Sequence, residues 1–192
     1  MIENEKINRW IKYLNIIDLI GITLVVATAF VFQFFMNELP CPLCLLQRIG
    51  LLAIGFGFLL NIHYEVRPAH YALSLLAAVF TAFVALRQIT LHIAPGDQGY
   101  GSALFGFHMY TWAFMLCVAA IVYISILLSV PRQYHLQKDK EKVSEVRNPK
   151  MRKFGHLVFA IYIVIIGANI ISTLTECGLQ ECPDNPVSYQ LL

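Results

Sequence analysis

Residues 16–48 read IIDLIGITLVVATAFVFQFFMNELPCPLCLLQR. The first part, Ile16–Met36, is apolar all round a helix and matches the roughly 20 residues needed to cross a bilayer. A helix of a water-soluble bundle would carry a polar face at helical spacing, and this one has none. The run also continues past Ala27-Thr28-Ala29, which mimics a signal-peptidase site, so it is expected to be a retained anchor. Pro40 and Pro42 then break the helix, and Cys41-Pro42-Leu43-Cys44 opens a second apolar run.

Working outward, five stretches are long enough to span: Ile16–Met36, Cys44–Ile62, Tyr71–Ile93, Met109–Val130 and Phe154–Leu174. All eight prolines fall between or beyond them. The composition agrees, with 58% hydrophobic and 14% charged residues against about 25% charged in an average soluble domain. The expected fold is all-α: a polytopic four-helix membrane bundle with an additional fifth transmembrane helix, residues 1–192 forming one membrane domain.

Charge placement orients it. Lys6, Arg9, Lys12, Arg67, Arg132, Lys138, Lys140, Lys142, Arg147, Lys150, Arg152 and Lys153, twelve of the fourteen cations, share one side. The positive-inside rule makes that side cytoplasmic. Loops Asn37–Leu43 and Ala94–His108 and the tail Thr175–Leu192 lack Lys and Arg and lie outside. The N-terminus is therefore expected inside and the C-terminus outside. The linker 131–153 reads as a solvated cytoplasmic connector with a possible helix at Lys138–Val146.

Of five cysteines, this topology puts Cys41, Cys44, Cys177 and Cys182 outside, where disulfide chemistry is permitted. Cys117 lies mid-span and reads as a small packing residue. A static bridge and half of a zinc site are alternative readings of the C-x-x-C pair. Zinc needs about four ligands, and besides the cysteines the outer side offers His92 and His108. Redox chemistry is favoured, because Cys44 opens a helix whose free N–H groups and dipole stabilise a thiolate.

Arg48 lies four residues on, one turn deeper on the same face. A cation within a span costs about 2.5–3.5 kcal/mol at the bilayer centre and less near its end, so it usually has a partner. Snorkelling to the interface is the plainer account. The sharper one makes Arg48 the counter-ion of the Cys44 thiolate and of a reduced acceptor beside it. A lipid-soluble two-electron carrier, a quinone, suits a dithiol built into a membrane.

The segment Cys41-Pro42-Leu43-Cys44-Leu45-Leu46-Gln47-Arg48 resembles the signature of the DsbB family, disulfide bond formation protein B. Span order and the short turn between spans two and three are similar over about residues 10–130. Arg87-Gln88 and Pro95-Gly96-Asp97 look like the family's second outer loop and its approach. The resemblance implies a bacterial inner-membrane enzyme that reoxidises a periplasmic DsbA-like thioredoxin-fold protein and passes the electrons to ubiquinone or menaquinone. By position, Cys41 would exchange with a second cysteine pair, and Cys44 would face the quinone with Arg48. Arg87 and Gln88 are further candidates for the quinone head group.

The chain departs from the family in one respect. The loop Ala94–His108, where the second pair is usual, has no cysteine. A fifth span is appended instead, and its outer tail holds Cys177 and Cys182. These are expected to replace the missing pair; a structural clip is the alternative. Loop Ala94–His108 is aromatic and reads as a membrane-interface segment. Asn169 and Ser172 read as polar helix-packing contacts. Two rival readings remain: an enzyme resembling vitamin K epoxide reductase, and a small transporter or assembly protein with incidental disulfides.

Overall fold

The computed structural model describes residues 2–64, 66–135 and 149–191. Helices α1 (Ile2–Phe35), α2 (Pro42–His63), α3 (Pro68–Leu91), α4 (Met109–Leu128), α5 (Arg132–His135) and α6 (Pro149–Cys177) carry almost the whole fold. Five of them are long and apolar enough to cross a membrane: Trp10–Phe35, Pro42–His63, Pro68–Leu91, Met109–Leu128 and Phe154–Cys177. The protein is an all-α, multi-pass membrane protein, as the apolar runs imply. The helix expected at Lys138–Val146 lies outside the described residues.

Boundaries follow local chemistry. Pro42 and Pro68 occupy the first turns of α2 and α3, where a missing N–H costs nothing. That starts α3 three residues before the expected span. Asn37 takes a positive φ of 53° just beyond α1, a conformation Asn tolerates better than most residues. The span expected to stop at Leu174 runs on through Cys177, so the first tail cysteine sits in the last turn of α6.

In chain order α1 packs on α2, α2 on α3 and α3 on α4, while α6 packs on α1 and α2. The α2–α3 pair is the tightest approach. A Cβ at Gly50 would come within 2.0 Å of Thr81 Oγ1, and one at Gly57 within 2.1 Å of Ser74 Oγ and 2.4 Å of the His70 carbonyl. Small residues let helix backbones approach where lipid supplies no hydrophobic drive between them. Ser74 Oγ also donates to the Ile54 carbonyl (2.7 Å).

A buried polar network ties the end remote from the cysteines. Asn15 Nδ2 donates to Tyr71 OH (2.9 Å), and Asn61 Nδ2 donates to Asn15 Oδ1 (3.0 Å). Asn61 Oδ1 accepts the Arg67 backbone N–H (3.2 Å) and faces His70 Nδ1 (2.9 Å). Tyr123 OH donates to Asp18 Oδ2 (2.9 Å), fastening α4 to α1 in the same half. Tyr162 fixes α6 by donating to the Leu52 carbonyl beside Gly55.

The loop between α3 and α4 contains a hairpin that no alternation in the sequence announces. β1 (Ala103–Leu104) pairs antiparallel with β2 (Phe107–His108), Leu104 opposite Phe107. The two turn residues, Phe105 (φ 52°) and Gly106 (φ 84°), have the positive φ of a two-residue hairpin loop.

Gly57→Ala is expected to cost about 1–3 kcal/mol by overpacking against a backbone carbonyl that cannot move aside. Thermal unfolding in detergent should fall by several degrees. Gly167→Ala, where an added Cβ meets nothing within 4 Å, should leave it unchanged.

Candidate active site

Cys41 is the N-cap of α2, and its Sγ accepts the Cys44 backbone N–H at 3.3 Å. The free N–H at the helix start therefore goes to the sulfur of Cys41; Cys44, one turn in, finds other partners. Both thiols are free, with their sulfurs 2.7 Å apart. A disulfide needs about 2.05 Å, so bonding requires only a sub-ångström closure.

Gln88 holds the pair. Its Nε2 donates to Cys41 Sγ (3.3 Å) and Cys44 Sγ (3.4 Å), while its Oε1 accepts from Gln47 Nε2 (2.7 Å). Gln47 is 5% and Gln88 1% exposed, so each amide depends on the other for its hydrogen bonds. The sequence pointed to Gln88 as a candidate for the quinone head group; in the structure its amide donates to both sulfurs. Arg87 is exposed, about 100° round α3 from Gln88. Neither lines the cavity described next.

That cavity, about 550 Å³, fills a gap between α1 and α4 over α2. Cys44, Gln47 and Arg48 form its floor, Ala29 and Phe32 one wall, Met109, Trp112 and Leu116 the other. Tyr100, Gly101 and Leu104 of the hairpin loop close it at the cysteine end. Thr28, Trp112 and Met115 line it yet are exposed on the spans, so it opens sideways at membrane depth.

Arg48 is buried among neutral partners. Nη1 donates to Gln33 Oε1 (2.7 Å), Nη2 donates to the Ala29 carbonyl (3.0 Å), and the Phe30 ring lies 5.1 Å from the guanidinium carbon. A guanidinium has five N–H donors, so donors remain for a ligand in the cavity.

The loop over the site is pinned. Glu38 accepts from the Ser102 backbone N–H (3.0 and 3.1 Å) and from its hydroxyl, and Tyr100 OH donates to the Leu39 carbonyl. His92 faces Asp97 at 3.1 Å, and the rings of His92 and His108 both stack on Tyr110. Cys41 beneath is 6% exposed. The hydrogen bond with Cys44, and then burial, push its thiol well above the usual cysteine range.

Cys177 and Cys182 are bonded to each other, with Cα atoms 4.5 Å apart. The tail folds back on α6, Gln190 N–H reaching the Glu176 carbonyl (3.4 Å) and Leu191 N–H that of Thr175 (3.1 Å). Sequence reasoning missed Gln33 as a site residue. Its signal was a lone amide in an otherwise apolar span.

In the reduced protein, Cys41 should be alkylated several-fold more slowly than an unhindered thiol at pH 8, and faster as pH rises. Glu38→Gln, which weakens the clasp on Ser102, should raise the rate. Peptide mass mapping separates Cys41 from the buried Cys117.

Comparison with known proteins bears on the same residues. The family model for "Disulfide bond formation protein DsbB" matches residues 11–102. "Disulfide bond formation protein B" of Stutzerimonas stutzeri is 36% identical over 93 residues, 45% of this chain and 56% of that protein. The Chromobacterium violaceum protein of the same name is 41% identical over 70 residues, 34% of this chain and 42% of its own. "Disulfide bond formation protein B 1" of Pseudomonas putida is 32% identical over 99 residues, 51% of this chain and 54% of its own. The chain spans about half the length of the curated relatives it matches. No solved structure matches. The matched stretch carries Cys41, Cys44, Arg48 and Gln88 and stops before α4, α6 and the tail pair. Residues 11–102, slightly under half of the chain, are thus similar to the DsbB family.

Proposed function

We propose that the protein is a quinone-linked protein-disulfide oxidoreductase of a bacterial inner membrane, with its N-terminus cytoplasmic and its C-terminus periplasmic. One observation carries this reading: a redox-active cysteine motif and a buried cation meet at the floor of a cavity that opens sideways between two spans. An enzyme acting only on water-soluble thiols has no use for such an opening.

The residues fit a quinone. The volume suits a head group and its first prenyl units, within the usual range of about 300–1,000 Å³ for ligand sites. Arg48 would hold a carbonyl oxygen, Gln47 would border the ring, and Trp112 and Leu116 would flank the chain. Ubiquinone or menaquinone supplies a two-electron, two-proton acceptor there.

The protein's own steps are thiol exchanges. A thiolate of a DsbA-like partner attacks the Cys177–Cys182 disulfide; the partner's second thiol resolves the mixed disulfide and leaves the tail reduced. A tail thiolate then attacks oxidised Cys41–Cys44 at Cys41, and Cys44 departs as a thiolate. Resolution by the second tail thiol regenerates the tail disulfide and leaves Cys41 and Cys44 reduced. Cys41 and Cys44 then re-form their disulfide, releasing two electrons and two protons that a quinone held beside Arg48 would accept. Burial of Cys41 means that the loop over it lifts during exchange.

The purified protein should contain quinone and show a long-wavelength thiolate–acceptor absorbance that disappears in Cys44→Ser. Arg48→Leu should raise the quinone KM at least tenfold, the scale of a hydrogen bond to a charged group. Replacing Cys177 and Cys182 together by Ser should abolish quinone reduction driven by the reduced partner, while a small dithiol still reduces quinone through Cys41–Cys44. Unchanged partner-driven turnover would assign the tail bridge to a structural clip.

A further inference from the structure

Arg48 rests on one amide, and that amide rests on α6. Gln33 is 2% exposed, and its Oε1 accepts from Arg48 Nη1 (2.7 Å). Its Nε2 donates to Ser172 Oγ of α6 (2.8 Å) and to Tyr189 OH of the tail (3.1 Å). The amide is used on both sides, so its orientation is fixed: a flipped Gln33 would aim an N–H at the guanidinium.

The α6 side is also specialised. Its outward surface is apolar, with Ile170, Ile171 and Leu174 exposed, yet Asn169, Ser172 and Glu176 are buried at 3%, 6% and 1% exposure. They recur at intervals of three and four, which is one face of a helix. Glu176, the last of these buried groups, lies one residue before Cys177 of the tail disulfide. Hydrogen bonds of the tail to the Thr175 and Glu176 carbonyls keep Tyr189 against Gln33. A second cavity of about 740 Å³, bordered by Gln33, Phe34, Ser172 and Tyr189, separates α1 from α6 around this junction. With open space beside it, the link depends on these hydrogen bonds more than on packing.

We propose that Gln33 is a positioning residue for the quinone site, and that the fifth helix and its tail hold it through Ser172 and Tyr189. The appended helix then does more than deliver a cysteine pair: it sets the guanidinium against the acceptor. This inference rests on the reading of the cavity as a quinone site. Gln33 supplies a neutral acceptor, so Arg48 is oriented while its charge stays available to the ligand. Ser172 and Tyr189 act one bond further back, and their loss should be felt at the acceptor although neither lines that cavity.

The test uses the full chain in vesicles with added ubiquinone, driven by a small dithiol so that the tail cysteines are bypassed. Gln33→Met, of similar length but without the acceptor, should raise the quinone KM roughly tenfold with a much smaller change in kcat, and should shift or weaken the Cys44 absorbance. Ser172→Ala combined with Tyr189→Phe should raise KM about two- to tenfold, the range of a neutral hydrogen bond. A merely structural role would lower the melting temperature and leave KM and the absorbance of the folded fraction unchanged, and that result overturns the proposal. Gln33→Met affected with the double variant unaffected overturns the part assigned to the fifth helix. A wild-type chain that reduces no quinone overturns the function above and this inference with it; a wild-type chain that does, with all variants alike, overturns this inference alone.

Discussion

The close approach of α2 and α3 sets everything at the cysteine end. Gly50 lies against Thr81 and Gly57 against Ser74, an antiparallel register in which each step along α2 is matched by one step back along α3. Seven residues separate the two contacts on each helix, about 10 Å of rise. A register fixed at two points that far apart cannot slide. Followed six residues toward the N-terminus of α2, it brings Cys44 opposite the turn containing Gln88, where the amide meets both sulfurs. A bulkier residue at Gly50 or Gly57 would separate the helices and withdraw Gln88 from the dithiol without touching either cysteine.

Lipid makes polar groups the second organising force. A charge in a span costs about 2.5–3.5 kcal/mol at the centre. Hydrogen bonds from a charged donor return about 1.5–3 kcal/mol each, and a desolvated cation–π contact up to about 2 kcal/mol. Arg48 has two such hydrogen bonds and one ring contact, so its burial is roughly offset without a carboxylate in direct contact. That distinction decides what the residue can do. A salt-bridged arginine is neutralised; one held by an amide and a carbonyl keeps its field. At the far end the Asn15–Asn61–Tyr71 network ties α1, α2 and α3 together, and Tyr123–Asp18 ties α4 to α1.

The five spans, the Cys41–Cys44 pair and the cation beside it were legible because each is a local pattern: length, spacing and charge. Helix rotation was not. Spans that are apolar all round carry almost no periodicity, so the sequence could not say which neighbour a given residue meets. Arg87 and Gln88 show the consequence. They are adjacent in the chain but about 100° apart on the helix; one is exposed and the other donates to both sulfurs. Gln33, Ser172 and Tyr189 were illegible as a unit for the same reason, since they join residues more than 130 positions apart through side chains alone. The hairpin at Leu104–Phe107 is too short for alternation to register.

The two sulfurs of the motif, three residues apart, face different surroundings. Cys44 lines the lateral cavity; Cys41 caps the helix and lies beneath the loop clasped by Glu38. A three-residue offset on a helical turn, with Pro42 fixing the first step, is what makes this possible: the sulfurs remain within bonding reach while their outward directions diverge. On the proposed function, an electron pair would enter from one side of α2 and leave on the other without any large motion of the helix. That relay would require the loop over Cys41 to move and the chain from Arg48 through Gln33 to α6 to stay still. In such a relay the moving part would belong on the donor side and the fixed part on the acceptor side. The hydrogen bonds divide in that way: the loop is clasped at a few partly exposed points, and the guanidinium is held by buried ones.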